Sequence, residues 1–379
     1  MLDNNQQAFF ALVQAGLWGS EARIAHFGSL DWGRLHQLSL EQSVLGLVLP
    51  GFEQADVKPP QGVLLQWIGE VQMIEKCNKA MNEFVAKLID RLRNEDVYAM
   101  LVKGQGIAQC YERPLWRACG DVDLLLSDSN YKKAKAFLLP LASSVEEEDV
   151  SRKHLGLVMD DWVVELHGTL HTRQLPRLNK VVDETQKDVF RGGGVRSWQN
   201  GNTQVFLPSA DNDVIFVFAH ILQHYFGGGI GLRQICDWCR LLWTYNDSLN
   251  HRLLESRIRK AGIMTEWKVF AALAVNYLGM PAEEMPLYSS SNNWNKKAER
   301  IIAFILKNGS FGYNRDNSYR KGAVLEQKMG SLKRYVVDTM KHITVFPWDS
   351  VKVLGRMIIN GICDMTVNRK EFHHSMKLF

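Results

Sequence analysis

The sequence predicts an α+β protein in which a small mixed sheet lies between two helical regions. Three observations lead to this prediction. Apolar residues recur at helical spacing in residues 1–95, short apolar or alternating segments fill residues 96–208, and helical spacing returns in residues 209–379. We therefore expect an N-terminal helical region, a central sheet domain and a C-terminal helical domain with these boundaries, which a chain of 379 residues can accommodate.

The N-terminal region is expected to end in one long amphipathic helix. From Leu64 to Leu92, apolar residues recur every three or four positions. The preceding Pro59 and Pro60 separate this helix from a shorter helical stretch.

The central region begins with two predicted strands, each followed by a helix. "VYAMLVKG" from Val97 is short, apolar and ends in glycine, as a buried strand does, and "QGIAQCYERP" is a short helix stopped by Pro114. "ACGDVDLLLS" is the second strand, and Asp128 or Ser129 is expected to cap the helix "DSNYKKAKAFLLPLA".

Two hairpins are predicted in the rest of the central region. "HLGLVMDDWVVELHG" consists of two alternating runs that turn at Asp160-Asp161. After a helix around residues 177–190, "GVRSWQNGNTQVFLP" forms a second hairpin that turns at Asn200-Gly201.

The C-terminal region is helical from Ser209, with interruptions at "FGGGIG", "SSSNNWNKK" and a long loop, "NGSFGYNRDNSYRKG". "FGGGIG" follows a helix and lacks the G-x-G-x-x-G spacing, so we interpret it as a helix C-cap and loop and not as a dinucleotide site. "VKVLGRMIINGICDM" has helical spacing typical of core packing or docking, and a membrane-surface helix is the weaker alternative.

The composition is that of an ordinary globular protein, 46% hydrophobic and 23% charged, with a net charge of only +4. Charge therefore does not favour a nucleic-acid partner. There is no signal-peptide pattern and no stretch of about 20 apolar residues, so we expect a cytoplasmic protein without a transmembrane segment. Cys236 and Cys239 form the one C-x-x-C, and without a second pair they predict buried thiols. A homo-oligomer is left open.

Two carboxylates stand one residue apart in the apolar run "RACGDVDLLLSD". In a strand, Asp121 and Asp123 point to one side while Val122, Leu124 and Leu126 point to the other. Carboxylates held this close repel each other unless a cation lies between them, and Mg²⁺ is bound by carboxylates together with substrate phosphates. The pair therefore favours a nucleotide–metal site.

A third carboxylate, Glu165, occupies an equivalent place in "WVVELH" on another predicted strand. If the two strands are neighbours, Glu165 completes a cluster of three acids.

A phosphate-binding turn is predicted where "LVKGQGIAQ" passes from strand to helix. Gly104 and Gly106 would let a phosphate approach the backbone and the amides at the helix start, and Lys103 adds a positive charge. The G-x-x-x-x-G-K-[ST] spacing of a P-loop is absent.

Charged residues flanking the acids have two interpretations each. Arg117 could form a salt bridge with Asp121 or contact phosphate. Arg233 and Asp237, one turn apart on a predicted helix, are most simply an intrahelical ion pair, with a role near the substrate as the alternative.

Four histidines are candidates of lower specificity. His167 and His171 follow Glu165 and are interpreted as a polar strand end. His220 and His224 share one helix face, where they could line a cleft or be satisfied structural histidines; a zinc pair would need further ligands.

The order of these parts resembles a known superfamily. This order is similar to the core of the DNA polymerase beta-like nucleotidyltransferases. In that core a strand, a glycine and a helix are followed by Asp-x-Asp on the next strand and by a carboxylate on a later strand. More narrowly, "KG", "R…GDVDLLL", "VELH" and "H…H" before an Asp-bearing helix resemble a bacterial group of uncharacterised nucleotidyltransferases, over roughly residues 97–245. The chain departs from the usual Gly-Ser of the superfamily, because it has Lys103-Gly104-Gln105 there.

The resemblance implies a nucleotidyltransferase fold and a metal-dependent enzyme. An NMP would move from an NTP, expected to be ATP, to a hydroxyl or phosphate of a small molecule, sugar, protein or RNA. Two Mg²⁺ or Mn²⁺ ions would be bound by the catalytic residues Asp121, Asp123 and Glu165, and Glu165 could also act as general base. The nucleotide-binding residues implied are Lys103, Gly104, Gly106, Arg117, His220 and His224. The alternative is a non-catalytic nucleotide-sensing protein with the same fold.

Overall fold

The computed structural model describes residues 2–172, 175–227, 229–315 and 324–359. Within these ranges the strands are β1 (Ala99–Val102), β2 (Asp121–Leu126), β3 (Ser144–Val145), β4 (His154–Met159), β5 (Trp162–His167), β6 (Val195–Asn200) and β7 (Thr203–Pro208).

The helices before the last strand are α1 (Asn4–Trp18), α2 (Trp32–Glu41), α3 (Leu45–Glu53), α4 (Gln61–Asn94), α5 (Gly104–Ala108), α6 (Asp128–Leu138) and α7 (Pro176–Arg191). Those after it are α8 (Ala210–Gly227), α9 (Leu232–Tyr245), α10 (His251–Ala261), α11 (Met264–Leu278), α12 (Asn292–Asn308), α13 (Val324–Ile343) and α14 (347–359).

The strands form one mixed sheet in the order β3-β4-β5-β2-β1-β7-β6. β2 is parallel to β5 and β1 is parallel to β7, whereas the other neighbours are antiparallel. All these strands lie between residues 99 and 208, with helices before and after them. The predicted α+β class is therefore confirmed, while the division into three domains stays a prediction.

The predicted hairpins are present, and the turn of one is displaced. Asp160 and Asp161 both have positive φ, 48° and 68°, as a two-residue turn with matching twist requires. In the second hairpin Asn200 pairs with Thr203, so the turn residues are Gly201 and Asn202 and the predicted turn is one residue early. Gly201 adopts the positive φ of 60° without strain from a Cβ.

Three helix starts also differ from the prediction. The Ser127 side chain accepts a hydrogen bond from the Asn130 amide, so Ser127 caps α6 in place of Asp128 or Ser129. Helix α5 begins at Gly104, ahead of the expected Gly106, and α12 begins at Asn292 inside the polar segment predicted as an interruption.

The glycine-rich segment after α8 packs closely on another loop. A Cβ on Gly231 would lie 2.5 Å from Ser310 Oγ, and one on Gly229 would lie 3.0 Å from the Gly312 amide nitrogen. Gly229 also has a φ of +122°. Close approach of two backbones therefore accounts for these two glycines.

The two faces of the sheet belong to different cores. Leu101, Val122 and Leu124 pack with the C-terminal half of α4 and with α6. Met100, Val102 and Leu125 point the other way and join a larger core built by the terminal helical regions. The acids of β2 share this second face, so the site lies between the sheet and the helices.

In the C-terminal region, Cys236 and Cys239 are buried on α9, as expected for structural thiols. Val353 of α14 is buried, while Val351 and Ile359 are exposed. Residues 316–322 of the predicted long loop and 360–365 of the C-terminal apolar stretch lie outside the described residues. In the described part of the chain, every helix is too short or too polar to cross a lipid bilayer.

Candidate functional site

Three carboxylates meet on one face of neighbouring strands. β2 runs parallel to β5 in a register that pairs Asp123 with Glu165, and Asp121 lies two residues earlier on the same side of β2. All three line a pocket of about 640 Å³, which is closed by residues of α8, α9, α13 and α14. The structure therefore brings together the acids that the sequence proposes as a cluster.

Asp123 is the most deeply buried of the three, with a side chain only 3% exposed. Lys103 Nζ lies 2.9 Å and His167 Nε2 2.7 Å from the same oxygen, Oδ1. Burial alone would raise the pKa of Asp123, but the charge of Lys103 and the hydrogen bond and charge of His167 lower it overall. These two residues are the positive groups that the buried carboxylate needs.

Glu165 is held by two histidines. Its Oε2 lies 3.1 Å from His154 Nε2 and 3.3 Å from His167 Nε2. Burial would raise the pKa of Glu165, but hydrogen bonds from both histidines and the charge of Lys103 hold it below its ordinary range. A general base works best with a pKa near the operating pH, so the lowered pKa of Glu165 does not favour the general-base role.

His167 and Lys103 are stabilised as cations by the acids around them. Burial lowers the pKa of His167, but hydrogen bonds to Asp123 and Glu165 raise it overall. The pKa of Lys103 is likewise lowered by burial and raised overall, chiefly by Asp123. The expectation that His167 is only a polar strand end is wrong, because this residue is buried at the centre of the acids.

Asp121 differs from the other two acids, because it lies at the exposed mouth of the pocket. Loss of hydration is the main cause that raises the pKa of Asp121, and the negative charge of Asp123 raises it further. Neither of its oxygens accepts a hydrogen bond from a described residue, and the same is true of Asp123 Oδ2 and Glu165 Oε1. Four carboxylate oxygens are thus uncommitted at the site.

The turn after β1 positions Lys103 at the acids. Lys103 has φ 58° and ψ −146°, a strained conformation for a residue with a side chain. Gly104 follows with φ 39° and lines the pocket. Gly106 does not line it, since it is buried and a Cβ there would lie 2.8 Å from Leu207 Cδ2. The structure therefore explains Gly106 by packing against β7.

Arg117 pairs with Asp237 and not with Asp121. Arg117 Nε and Nη2 lie 2.7 and 2.6 Å from the two oxygens of Asp237, and the Tyr111 hydroxyl donates to the same carboxylate at 2.8 Å. The expected Arg117–Asp121 and Arg233–Asp237 ion pairs are both wrong. The physical reason is that both oxygens of the buried Asp237 are taken by the two-pronged Arg117 guanidinium, and the Tyr111 hydroxyl adds a third hydrogen bond.

Arg233 lines the pocket, where the sequence offered a role near the substrate only as the alternative to an ion pair with Asp237. Its Nη1 donates to the Ala118 carbonyl at 2.6 Å, and its guanidinium lies 5.7 Å from the Phe311 ring centre. Its Nε is buried and has no hydrogen-bond partner in the described part of the chain. Burial is the main cause that lowers the pKa of Arg233, and the positive charge of Arg117 lowers it further. The sequence signal was only an arginine in the first turn of α9.

His220 and His224 both line the pocket, as the cleft interpretation expected. Their Nε2 atoms are 2.6 Å apart, so one ring donates a hydrogen bond to the other. Burial is the main cause that lowers the pKa of both His220 and His224, and the charge of Lys103 is the second cause. The pKa of His224 falls to about 4. Both rings are therefore uncharged at neutral pH. His171, at the pocket rim, contacts Asp183 at 2.6 Å.

The comparisons with known proteins agree with this geometry. A family model described as an uncharacterised nucleotidyltransferase matches residues 28–279, roughly two thirds of the chain. Searches of curated proteins and of solved structures returned no significant match. The matched span contains the whole sheet, the three converging acids and the pocket cations on β1 and α9. On this basis the chain belongs to that uncharacterised nucleotidyltransferase family.

Proposed function

We propose that the protein is a metal-dependent nucleotidyltransferase that transfers an NMP from an NTP, expected to be ATP, to a hydroxyl or phosphate of an acceptor. One observation carries this proposal: Asp121, Asp123 and Glu165 share one face of adjacent strands in a pocket and keep uncommitted oxygens there. Membership of the family supports nucleotidyl transfer in general terms.

The donor set suits Mg²⁺ or Mn²⁺. Carboxylate oxygens are the protein ligands that these cations prefer when substrate phosphates complete their coordination. Asp121, Asp123 and Glu165 would hold the cations, and two ions are expected from the resemblance. When bound, they would supply charge neutralisation for the triphosphate and would acidify the acceptor group.

The cationic side chains of the pocket suit a triphosphate. Arg233 has an unsatisfied Nε and no carboxylate within salt-bridge distance in the described residues, so its charge is available to a ligand. Gly104 leaves room for a phosphate beside the backbone. Arg117 is committed to Asp237, so we assign it the role of positioning the loop before β2.

The proposed reaction is a displacement at the α-phosphorus. The acceptor oxygen forms a bond to this atom while its bond to the bridging oxygen of the β-phosphate breaks. The bridging oxygen keeps the electron pair and leaves as part of pyrophosphate, and the proton of an acceptor hydroxyl is released to solvent. Arg233 and Lys103 would stabilise the negative charge that builds up on the phosphates.

The test is release of pyrophosphate from NTPs labelled at the α-phosphate. Each nucleotide is incubated with the full chain, Mg²⁺ or Mn²⁺, and a panel of sugars, small hydroxyl compounds, RNA ends and the protein itself. We expect transfer that needs a divalent cation and is lost in Asp123→Asn. Asp160→Asn, an equal change in an exposed turn outside the pocket, should keep it.

The alternative of a nucleotide-sensing protein makes a different prediction in the same experiment. A sensor would bind nucleotide without releasing pyrophosphate with any acceptor, and Asp123→Asn would alter only binding. That result would replace the enzymatic proposal. Absence of both binding and turnover would remove both functions.

A further inference from the structure

We propose that one cation position of this site is a mixed nitrogen–oxygen site formed by His154, Glu165 and His167, which selects a first-row divalent transition metal such as Fe²⁺ or Zn²⁺ over Mg²⁺. This inference rests on the proposed function and deepens it, because it names the class of metal. The two histidines are additional to the carboxylates from which the sequence predicted the metal site.

The register of the sheet places the three side chains together. β4 is antiparallel to β5 and pairs His154 directly with His167, while Glu165 lies two residues before His167 on the same face. The two imidazole centres are 4.8 Å apart. One ligand atom from each of the three residues lies within 4.8 Å of the others, as ligands around a single ion must.

The atoms that converge are those that would bind a metal. The Nε2 atoms of both histidines approach the same oxygen, Glu165 Oε2, at 3.1 and 3.3 Å. His167 Nε2 also lies 2.7 Å from Asp123 Oδ1, although one imidazole nitrogen carries at most one hydrogen. Two ring nitrogens and one carboxylate oxygen thus surround one small region. A divalent cation there would satisfy all three with one charge centre.

A glycine stands opposite Glu165 on β4. Gly156 pairs with Glu165 and has no side chain to cover it. A Cβ at Gly156 would lie 2.5 Å from Glu146 Oε2. The glycine therefore leaves the space beside Glu165 free of a β4 side chain at this position.

The nitrogen donors decide the metal class. Mg²⁺ takes oxygen ligands and keeps several waters, whereas imidazole suits Fe²⁺ and Zn²⁺. Mn²⁺ binds most weakly in this transition-metal series and also takes oxygen ligands, and it serves here as the paramagnetic probe of the series. The uncommitted oxygens of Asp121 and Asp123 would bind either class. His154 and His167 would therefore provide the preference for a transition metal.

The experiment uses Mn²⁺ with the full-length protein and needs no turnover. Pulsed electron paramagnetic resonance detects coupling between bound Mn²⁺ and the nitrogen of a coordinated imidazole, and competition with Mg²⁺ measures the preference. We expect nitrogen coupling in the natural protein. In His154→Gln the coupling should weaken and the Mn²⁺ affinity should fall about tenfold or more, with Mg²⁺ affinity changed by less than about threefold.

His171→Gln is the matched control, because this histidine lies at the pocket rim and contacts Asp183 outside the cluster. It should leave both affinities unchanged. Circular dichroism shows whether each variant is folded, and the spectrum of the natural protein tests the proposal without any variant.

Bound Mn²⁺ without nitrogen coupling would overturn the inference and leave the histidines as partners that orient the carboxylates. An unchanged preference in His154→Gln would do the same. If Mg²⁺ then still supports transfer, the proposed function survives. If neither cation binds and no pyrophosphate is released, the proposed function fails as well.

Discussion

The two faces of the same sheet have opposite chemistry. Along β2, Val122, Leu124 and Leu126 are completely buried among apolar residues of α4 and α6. Their neighbours Asp121 and Asp123 point to the other face, where Lys103 and two histidines surround the acids. The backbone hydrogen bonds of the strand serve both faces, so the difference comes from what each side chain meets.

This contrast teaches where stability and chemistry are located. Burial of a leucine side chain stabilises a fold by about 1.5–3 kcal/mol, so the apolar face contributes strongly. A buried ion pair contributes close to nothing in net terms, because desolvation offsets the attraction. An intact buried pair on the polar face therefore adds little to stability, although removing one partner and leaving the other charge buried is destabilising. We expect substitutions on the two faces to separate activity from stability.

The largest expected effect is on activity, from Asp123→Asn. The change removes a negative charge but keeps an oxygen that accepts hydrogen bonds from Lys103 and His167. Under the proposed function, transfer should fall about 10³-fold, because the Asp123 carboxylate would stabilise the bound cations. Pyrophosphate release measures this, and circular dichroism should show a folded protein. Activity within about threefold of the natural protein would contradict the metal proposal.

Leu124→Ala, one residue along the same strand, should have the opposite effect. Truncating this fully buried side chain leaves a cavity and should lower the free energy of unfolding by about 2–5 kcal/mol. Transfer per folded molecule should stay within about threefold, since Leu124 points away from the pocket. Urea unfolding and the pyrophosphate assay measure the two effects. If Leu124→Ala abolished transfer while remaining folded, the separation of the faces would be wrong.

A smaller effect is expected from Arg233→Gln on the helical side of the pocket. The change should raise KM for the NTP about 10–100-fold, because a charged phosphate contact of about 1.4–2.8 kcal/mol is lost. Stability should change little, since Arg233 makes one hydrogen bond to a carbonyl and leaves Nε unsatisfied. Steady-state kinetics and urea unfolding test this.

Arg117→Gln is the comparison variant, because it leaves Asp237 buried without its partner. It should lower stability by about 3–5 kcal/mol. Equal KM values for Arg233→Gln and the natural protein would remove Arg233 from the triphosphate site.

The smallest effect, measured per pH unit, is on stability and concerns the buried Glu266. Burial is the main cause that raises the pKa of Glu266 from 4.5 to about 8, and a hydrogen bond with Asp349 of α14 is the second cause. In Glu165, by contrast, the hydrogen-bonding partners lower the pKa. The folded protein binds this proton more tightly than the unfolded chain. The stability that Glu266 contributes is therefore fully present below about pH 4.5 and is lost as the pH rises to about 8. The free energy of unfolding falls over this range by at most about 1.4 kcal/mol per pH unit.

The glutamine side chain of Glu266→Gln is neutral at every pH, so this variant should have a flatter dependence of the free energy of unfolding on pH. Urea unfolding from pH 5 to 8 measures the dependence. Glu255→Gln, on the solvent-facing side of α10, is the control and should keep the natural slope. Identical slopes in the natural protein and Glu266→Gln would contradict the raised pKa.

The local pattern predicted much of the sheet. Alternation along "GDVDLLL" places Asp121 and Asp123 on one side, and the Asp160-Asp161 turn is where the sequence indicated it. Errors occurred where neighbouring residues of similar chemistry compete, as with Ser127 against Asp128 for the cap of α6. Short-range signals do not resolve a choice between adjacent caps.

The partners of the charged residues could not be predicted in this way. His154 and His167 reach Glu165 because β4 and β5 pair in one register, and Arg117 meets Asp237 across 120 residues of chain. Sequence spacing indicates contacts within a helix or strand, and it carries no information on which distant element packs alongside.

The sequence by itself determined which side chains share a strand face, because the alternation of a β-strand is a property of the local backbone. It thereby determined that two acids would need a positive partner. Only the tertiary structure decided that this partner is Lys103 with His167, and that Arg233 lies in the pocket with no carboxylate within salt-bridge distance among the described residues. The physical reason is that burial and charge pairing depend on the packing of elements far apart in the chain.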